Sequence, residues 1–400
     1  MIRHLFLLMW NRRRANALLV VEIFLAFVVL FAVGTMGANL WDNYRQPLGF
    51  GYEQAWQLNV TTGSQSKAEK IGAMRQVLAE MRANAQVQSA ALTASNTPFS
   101  FNNSQRGLDF TDPRDSTKRH IGSINAFIVG PELREVLGLE LVAGRWFEPA
   151  DAVPGANVPV VIDEGMQRAM YPDGRSALGS LLWGRDEAPQ RIIGVISAYR
   201  TDGELQEPQP SIVQALFPED TTFFADAVLL RVKPGSGAAL EKQLTDDVRR
   251  IGPGWSGTIR TLPEMHTVQM KQLLTKPLLL GAMSVFLLLN VALGLFGVLW
   301  LNISRRRGEI GVRRAMGATA GGISGQVLGE ILVITTFGLA LGLLVAVQFP
   351  LLGVQNVRPD IYFTAMLLAA GALYLLATVC ALYPSRLAAG IQPAVALREE

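Results

Sequence analysis

The chain has 400 residues, of which 50% are hydrophobic and only 17% are charged, and its mean hydropathy is +0.25. An average soluble protein is about a quarter charged, so this composition argues against a wholly soluble enzyme and excludes collagen-like, disordered and disulfide-rich classes. The net charge of +3 is too small to indicate nucleic-acid binding. Cys380 is the only cysteine, so the sequence contains neither an internal disulfide nor a cysteine zinc site.

The first long apolar segment covers residues 17–37, in which Glu22 is the only charged side chain. A helix of this length spans roughly 31 Å, about the thickness of the hydrocarbon core of a bilayer. A cleavable signal peptide is the alternative, because arginines precede the segment. The apolar part of a signal peptide is only about 7–15 residues long, however, and no convincing cleavage site follows. We therefore expect a retained membrane helix.

Three further apolar segments follow near the other end of the chain, at residues 278–301, 327–348 and 363–382. Glu330 is the only charged residue in the three segments. Segments this long and this free of charge are rarely core helices of soluble domains. The sequence therefore predicts an α-helical membrane protein with four transmembrane helices, one near the start of the chain and three near its end.

The placement of arginines predicts the orientation. Arginines precede the first helix and fill the segment 302–326, whereas the short loop 349–362 carries only Arg358 and Asp360. Short loops rich in arginine remain cytosolic, so we expect both termini and 302–326 in the cytosol and residues 38–277 outside it. Residues 1–16 are expected to form an interfacial amphipathic helix, with a disordered basic tail as the alternative. Residues 383–400 would form a cytosolic tail.

Two parts of the long segment 38–277 share one pattern of strand, helix and strand. The predicted elements are 54–60, 66–83 and 87–94 in the first part, and 225–232, 237–251 and 256–262 in the second. They predict a large α+β domain with a duplicated βαβ base, formed by 38–99 and 216–263, and an inserted β-rich lobe at 100–215. Residues 264–277 would form a stalk that extends the second membrane helix, with Pro277 as a potential kink.

This domain lacks the sequence motifs of an enzyme. It contains no G-x-S-x-G and no H-E-x-x-H motif, and His120 and His266 have no metal-ligand partner at a recognised spacing. We therefore expect no catalytic site and no metal site, and a surface or structural role for both histidines.

The segment 304–319 reads S-R-R-R-G-E-I-G-V-R-R-A-M-G-A-T. It is predicted to form a short helix in which charged and apolar residues alternate, with Ile310, Arg313, Arg314 and Gly317 on one side. By composition alone, a plain positive-inside loop with interfacial arginines would explain it.

The order of these residues closely resembles the coupling-loop motif of the MacB/FtsX-type (type VII) ABC permeases. Residues 137–151, 191–200 and 383–400 also resemble segments of that family, and polar residues are frequent in it at the positions of Gln326 and Glu330. The matches cover the whole chain in order, and the family's Porter-like base with an inserted lobe agrees with the domain inferred above.

The resemblance implies that this segment contacts an ATPase. The residues implied to act in coupling are Arg305, Arg306, Arg307, Glu309, Ile310, Arg313, Arg314, Met316 and Gly317. A phosphate-binding loop needs a Gly-Lys pair, and the sequence has none. We therefore expect no cofactor on this chain and a separate ATPase subunit that binds ATP and Mg²⁺, unlike MacB itself, which carries its ATPase on the same chain.

Glycines recur at four-residue spacing before and within the third membrane helix, which favours close helix packing. They are Gly317, Gly321, Gly325, Gly329, Gly338 and Gly342. Packing within the chain and a dimer contact both remain open. The intramembrane polar residues Glu22, Gln326 and Glu330 are expected either to pair structurally or to handle protons or substrate.

The resemblance implies a permease of the bacterial inner membrane that works by mechanotransmission. The expected function is tripartite efflux or secretion of a periplasmic drug, peptide or toxin. The expected partners are a cytosolic ABC ATPase, a second permease (identical or paralogous), a periplasmic membrane fusion protein and an outer-membrane channel. Two alternatives remain at this stage, namely a signal transmitter that activates a cell-wall hydrolase and a lipoprotein-release permease, and a membrane-bound enzyme is more distant.

Overall fold

The computed structural model describes residues 13–94, 97–100, 104–111, 117–153, 155, 157–184, 188–353 and 357–390. Residues 1–12 of the expected interfacial helix and residues 391–400 of the expected tail therefore lie outside the described residues. The chain divides into two units. One contains Met1–Asp42 and Leu274–Glu400, and the other contains Asn43–Leu273.

The described helices comprise four long apolar elements and six shorter ones. In chain order they are α1 (Arg13–Tyr44), α2 (Lys67–Ala83), α3 (Leu133–Leu137), α4 (Glu164–Met170), α5 (Ala238–Ile251), α6 (Leu262–Arg305), α7 (Arg307–Ala315), α8 (Ala320–Ala346), α9 (Gln348–Leu352) and α10 (Pro359–Ala389). Within the described residues, α1, α6, α8 and α10 are long and apolar enough to cross a membrane. The predicted arrangement of one such helix followed by three is confirmed.

The four long helices of the membrane unit share one buried apolar cluster. Phe27 and Phe31 of α1 are in this cluster, together with Leu295 of α6, Ile331 of α8 and Ala365 of α10. On α10 the buried positions recur every four residues, at Ala365, Ala369, Leu373, Ala377 and Ala381. Small side chains at this spacing let two helices approach closely in lipid. The α10 face is thus built for helix packing.

The described strands belong to the other unit. They are β1 (Ala55–Thr61), β2 (Val87–Ala94), β3 (Gln105–Thr111), β4 (Lys118–Val129), β5 (Leu141–Gly144), β6 (Val158–Asp163), β7 (Leu181–Trp183), β8 (Gln190–Ile196), β9 (Ser211–Ala215), β10 (Ala227–Val232) and β11 (Ser256–Thr261). They form one hydrogen-bonded sheet in the order β11-β1-β10-β2-β4-β3-β7-β8-β6-β9, with β5 paired to β8.

The predicted duplicated base is present as four antiparallel strands, β11, β1, β10 and β2, with the helices α2 and α5 packed on them. Alternate residues of β1, such as Leu58, face these helices and are fully buried. Helix α2 begins with a capping box in which the Ser66 and Glu69 side chains each bond the other's backbone amide. These two bonds stabilise the first turn of α2.

The inserted segment closes into a barrel. Each strand pairs with the next in the spatial order β4, β3, β7, β8, β6 and β9, and β9 pairs with β4 in parallel to complete the ring. Phe110, Ile162 and Met166 are among the buried side chains that fill it. The barrel continues the sheet of the base through two residue pairs between β2 and β4, such as Thr93 with Val129. The sequence predicted a β-rich lobe but not this continuity.

Helix α6 runs without interruption for 44 residues and includes both the expected stalk and the second apolar segment. Pro277 lies inside the helix, where its ring removes one backbone hydrogen bond. Leu262, the first helical residue, is fully buried in a core cluster of the large domain. A single helix therefore begins in the domain core and ends at Arg305, directly before α7.

Candidate functional site

The segment that resembles the coupling motif folds as the short helix α7, which we call the coupling helix. Only Arg306 separates it from α6. It ends in a turn at Gly317, whose φ of +97° lies in the left-handed region that favours glycine. Thr319 then caps α8 by accepting a hydrogen bond from the Gly322 amide at 3.2 Å. Gly317 is therefore a turn residue and not a helix-packing position.

An apolar contact holds the coupling helix against three membrane helices. Ile310 is buried in a cluster with Ile303 of α6, Ile323 of α8 and Ala388 of α10. Burial of a side chain of this size stabilises its position by roughly 1.5–3 kcal/mol. The coupling helix is thus attached to the ends of the long helices.

Polar side chains reinforce this attachment on the same side. Arg313 donates a hydrogen bond to Gln326 Oε1 at 3.0 Å and also pairs with Glu309. The Arg306 guanidinium donates to Glu330 Oε1 at 3.3 Å, and the Gln326 amide donates to the same oxygen at 3.3 Å. The Glu330 carboxylate therefore has a structural partner, and this network ties the coupling helix to the start of α8.

Other side chains of the coupling helix and of the residues at its two ends are exposed. Met316 is 76% exposed and Val312 is 42% exposed. Arg305 and Arg307 are exposed and Arg314 is half-buried, and none of the three makes an ion pair within the part of the chain that the structure describes. The structure thus separates the sequence-predicted residues into an inner face (Arg306, Glu309, Ile310 and Arg313) and residues that lie outside these contacts (Arg305, Arg307, Arg314 and Met316). We call the latter, together with the exposed Val312, the outer face. Sequence spacing alone had placed Arg313 and Arg314 on one side.

The inner face encloses only a small cavity. Arg306, Arg313, Gln326 and Glu330 line it, and its volume is about 30 Å³. Binding sites for drug-sized molecules measure about 300–1,000 Å³. This cavity is too small for such a ligand.

The predicted packing glycines fall into different environments. A Cβ atom added at Gly342 would lie 2.3 Å from the Phe27 ring, and one at Gly338 would lie 2.7 Å from Ile23, so both glycines permit close contact between α8 and α1. At Gly321 and Gly325 an added Cβ would meet nothing within 4 Å among the described residues. Gly329 is half-buried on α8.

Glu22 differs from Glu330. Its carboxylate packs against α6 beside Gly294, where an added Cβ would lie 2.7 Å from the carboxylate oxygen. It makes no ion pair within the described residues, whereas Glu330 pairs with Arg306. The two acidic residues predicted within the membrane helices therefore have different local environments.

The sequence did not predict a group of contacts made by residues 199–206 of the large domain. We call this segment the anchor loop. Arg200 is only 7% exposed and donates four hydrogen bonds of 2.8–3.1 Å to backbone carbonyl oxygens. Two of the acceptors are Asn43, in the last turn of α1, and Gln46. The Arg200 guanidinium also interacts favourably with the partial negative charge at the carboxyl end of α1. Burial lowers the pKa of Arg200 from its ordinary value.

The anchor loop also binds the first turns of α6. His266 lies 2.9 Å from a carboxylate oxygen of Glu204, and its ring contacts those of Tyr52 and Phe99, with both centroid distances at 4.8 Å. Burial, and then the Glu204 charge, raise the pKa of Tyr52. One short loop therefore contacts the end of α1 and the start of α6. The structural role expected for His266 agrees with this position.

Comparison with known proteins places both parts of the chain. Residues 17–247 match the family model described as the MacB-like periplasmic core domain, and residues 281–393 match that of the FtsX-like permease C-terminal domain. A macrolide export ATP-binding/permease protein MacB from Paracoccus denitrificans is 32% identical over 67% of this chain and 39% of its own length. A protein of the same description from Shewanella oneidensis is 27% identical over 93% of this chain and 54% of its own.

The chain thus spans between 39% and 54% of the length of these curated relatives. The solved periplasmic region of MacB from Actinobacillus actinomycetemcomitans is similar over 55% of this chain and 94% of its own, at 18% identity and a TM-score of 0.38. The first family model alone covers more than half of the chain. This chain therefore belongs to the MacB/FtsX-type family of ABC transporter permeases.

Proposed function

We propose that the chain is a permease subunit that works by mechanotransmission. A separate ABC ATPase, which binds ATP and Mg²⁺, docks on the outer face of the coupling helix, and its motion passes through α6 to the large domain. The observation that carries this proposal is the division of the coupling helix. Its inner face is joined to α8 by Arg306 and Arg313, and its outer face presents Met316 and three arginines that make no ion pair among the described residues.

The continuity of α6 supports transmission along one element. The helix starts at the buried Leu262 and ends next to the coupling helix. A helix fixed at both ends transfers displacement more directly than a loop, because its backbone hydrogen bonds resist bending. The contact between His266 and Glu204 holds the first turns of α6 to the anchor loop. Motion of the coupling helix would thus reach the domain core.

The arginine distribution supports an orientation with the coupling helix and both termini in the cytosol. The large domain would then be periplasmic, as the description of its family model indicates. The relatives are described as macrolide export proteins. By analogy, we assign this chain to efflux of a periplasmic drug, peptide or toxin, in a pair of permeases with a membrane fusion protein and an outer-membrane channel.

A docking experiment tests the proposal. Met316→Asp puts a charge at the most exposed apolar side chain of the outer face and should reduce the amount of ABC ATP-binding subunit that co-purifies with the tagged full chain at least tenfold. Arg313→Gln breaks the inner network and should leave that subunit bound while its substrate-stimulated ATP turnover falls. Lys242→Asp, at an exposed position on α5, is the matched control. Unchanged turnover in both Met316→Asp and Arg313→Gln would refute the assignment.

The same purification separates the alternative functions. A membrane fusion protein in the complex supports efflux. A cell-wall hydrolase in its place would indicate signalling, and a lipoprotein carrier would indicate lipoprotein release. Orientation has its own test, in a Cys380→Ala background with single cysteines at positions 316 and 242. A membrane-impermeant maleimide applied to intact cells with a permeabilised outer membrane should label position 242 and not position 316, and the reverse pattern would contradict the topology.

A further inference from the structure

The large domain contains a second, much larger cavity, away from the coupling helix in the sequence. It lies between the β1, β10 and β11 strands, residues 97–100 and the first turns of α6, and its volume is about 530 Å³. Pockets that bind drug-sized molecules measure about 300–1,000 Å³. The cavity is therefore large enough for a small organic ligand, in contrast to the one beneath the coupling helix.

The strand register explains why polar groups converge there. Gln57 of β1 lies opposite Arg260 of β11, and Asn59 lies opposite Ala227 of β10. Because successive side chains of a strand point to opposite faces, Gln57 and Asn59 share the face that lines the cavity, while Leu58 between them is buried against the helices of the base. A sheet face inside the domain thus carries hydrogen-bonding groups where apolar side chains would pack more stably.

Gln57 has an incompletely bonded amide. The residue is 5% exposed, and its amide nitrogen donates to Asn59 Oδ1 at 2.7 Å. Its carbonyl oxygen has no hydrogen-bond partner among the described residues. More than nine in ten buried polar groups in proteins are paired, so an unpaired acceptor that lines a cavity indicates a ligand that donates a hydrogen bond.

The charged groups of the cavity define the ligand further. Asp226, Glu264 and Arg260 line it, and none of these side chains has an ion pair or hydrogen bond within the described ranges. Two carboxylates against one guanidinium give the lining a net negative charge, which favours a cation. Phe99 and Met265 supply an apolar wall beside these charges.

We propose that this cavity binds a small organic cation in which a protonated amine is attached to an apolar body. The amine donates to Gln57 Oε1 and to the carboxylates of Asp226 and Glu264, and the apolar body packs on Phe99 and Met265. Because Glu264 and Met265 belong to α6, an occupied cavity contacts the helix that continues to the coupling helix. The claim that such a cation is the exported substrate rests on the proposed function. The claim that it binds in this cavity does not.

Three probes that differ only in their head group test the proposal on the purified full chain in nanodiscs. They are 4-phenylbutylamine, 4-phenylbutanol and 4-phenylbutanoate, and their affinities are obtained by saturation-transfer NMR titration, with empty nanodiscs to subtract partition into lipid. We expect the amine to bind at least tenfold more tightly than the alcohol and the acid. Absence of amine binding, or equal binding of all three probes, would overturn the proposal.

Matched variants locate the binding. Asp226→Asn/Glu264→Gln should weaken amine binding at least tenfold, whereas Glu219→Gln/Glu241→Gln, which removes two exposed carboxylates of the same domain, should leave it within twofold. Equal effects of the two double variants would also overturn the site. Gln57→Met has nearly the same size and lacks the acceptor, so it should weaken the amine severalfold while the thermal unfolding temperature does not fall. No ATPase is present in this binding assay. A negative result would therefore not contradict the docking proposal, and a negative docking result would not contradict ligand binding in the cavity.

Discussion

The two units of the chain hold their parts together by different means. In the large domain, buried charged side chains bond to the backbone. Arg200 donates to four carbonyl oxygens, and a single oxygen of Asp163 accepts from the Met166 and Ser211 amides at 2.7 and 3.1 Å. In the described part of the membrane unit, charged side chains bond to other side chains, as Arg306 does with Glu330, and glycines pack closely against larger residues.

We call a contact between a buried charged side chain and the backbone a fixed joint, and a contact between two side chains an exchangeable one. A hydrogen bond to the backbone does not depend on the rotamers of neighbouring side chains. A buried charged group that loses such a bond has no alternative partner. A partly exposed pair of side chains, such as Arg306 and Glu330, gains little energy and can exchange partners at little cost. The anchor loop is thus suited to keep α1 and α6 attached to the domain, and the network at the coupling helix is suited to rearrange.

The largest effect is expected at the anchor loop. Arg200→Met retains most of the apolar stem and leaves four buried or partly buried carbonyl oxygens without their donor, which should lower the free energy of unfolding by about 3–5 kcal/mol. Arg191→Met, at an exposed position on β8, is the control and should change it by less than about 0.5 kcal/mol. Thermal unfolding of the full chain in detergent measures both, and comparable losses would mean that Arg200 is not a fixed joint.

A smaller, pH-dependent effect is expected at Asp163, which caps α4. Burial raises its pKa from 3.8 to about 6, although the two amide hydrogen bonds oppose the shift. The folded state then binds more protons than the unfolded state between these values, so stability should fall as the pH rises from about 4 to about 6. Asp163→Asn keeps the acceptor oxygen without the charge. Its stability relative to the unmodified chain should rise by about 2–3 kcal/mol between pH 4 and pH 7.

Denaturant unfolding of both chains at a series of pH values measures that difference directly. A variant curve parallel to that of the unmodified chain would show that the carboxylate stays ionised when folded, and that bonds to the backbone fully offset its burial.

The next effect distinguishes two glycines of α8. Gly342→Ala forces a methyl group against the Phe27 ring and should destabilise the helix packing by about 1–3 kcal/mol. Gly325→Ala meets nothing in the described chain and should be neutral or stabilise α8 by up to about 1 kcal/mol, because alanine favours helix. Unfolding temperatures in detergent report on both changes. Destabilisation by Gly325→Ala comparable to that of Gly342→Ala would show that Gly325 packs against another chain.

The smallest effect is expected at the coupling network. A double-mutant cycle with Arg306→Gln and Glu330→Gln should give an interaction energy of only about 0.5–1 kcal/mol, since the pair is partly exposed and Gln326 shares the same carboxylate oxygen. An interaction energy above about 3 kcal/mol would place this pair among the fixed joints and remove the distinction between the two units.

Local signals explain what the sequence predicted well. The strand and helix patterns placed the elements of the duplicated base within a few residues of their observed bounds. The order of residues in the coupling motif identified the functional segment. Both kinds of signal lie within about 20 residues of chain.

Non-local contacts explain what the sequence did not predict. Arg200 bonds carbonyl groups more than 150 residues away, and the barrel closes by a pairing of β4 with β9. No local pattern marks either contact. The two faces of the coupling helix were likewise hidden, because the face that Arg313 occupies depends on where Gln326 and Ile323 of α8 lie.

Distance measurement between two spin labels tests the central claim most directly. The labels are attached to cysteines at position 242 of the large domain and position 351 of α9, in a Cys380→Ala chain bound to its ABC ATP-binding subunit. Both positions are exposed. We predict that the distance distribution shifts when the ATPase is trapped with ATP and vanadate, and that Arg313→Gln abolishes the shift while the ATPase remains bound. Identical distributions with and without nucleotide, in a complex that hydrolyses ATP, would contradict mechanotransmission through α6.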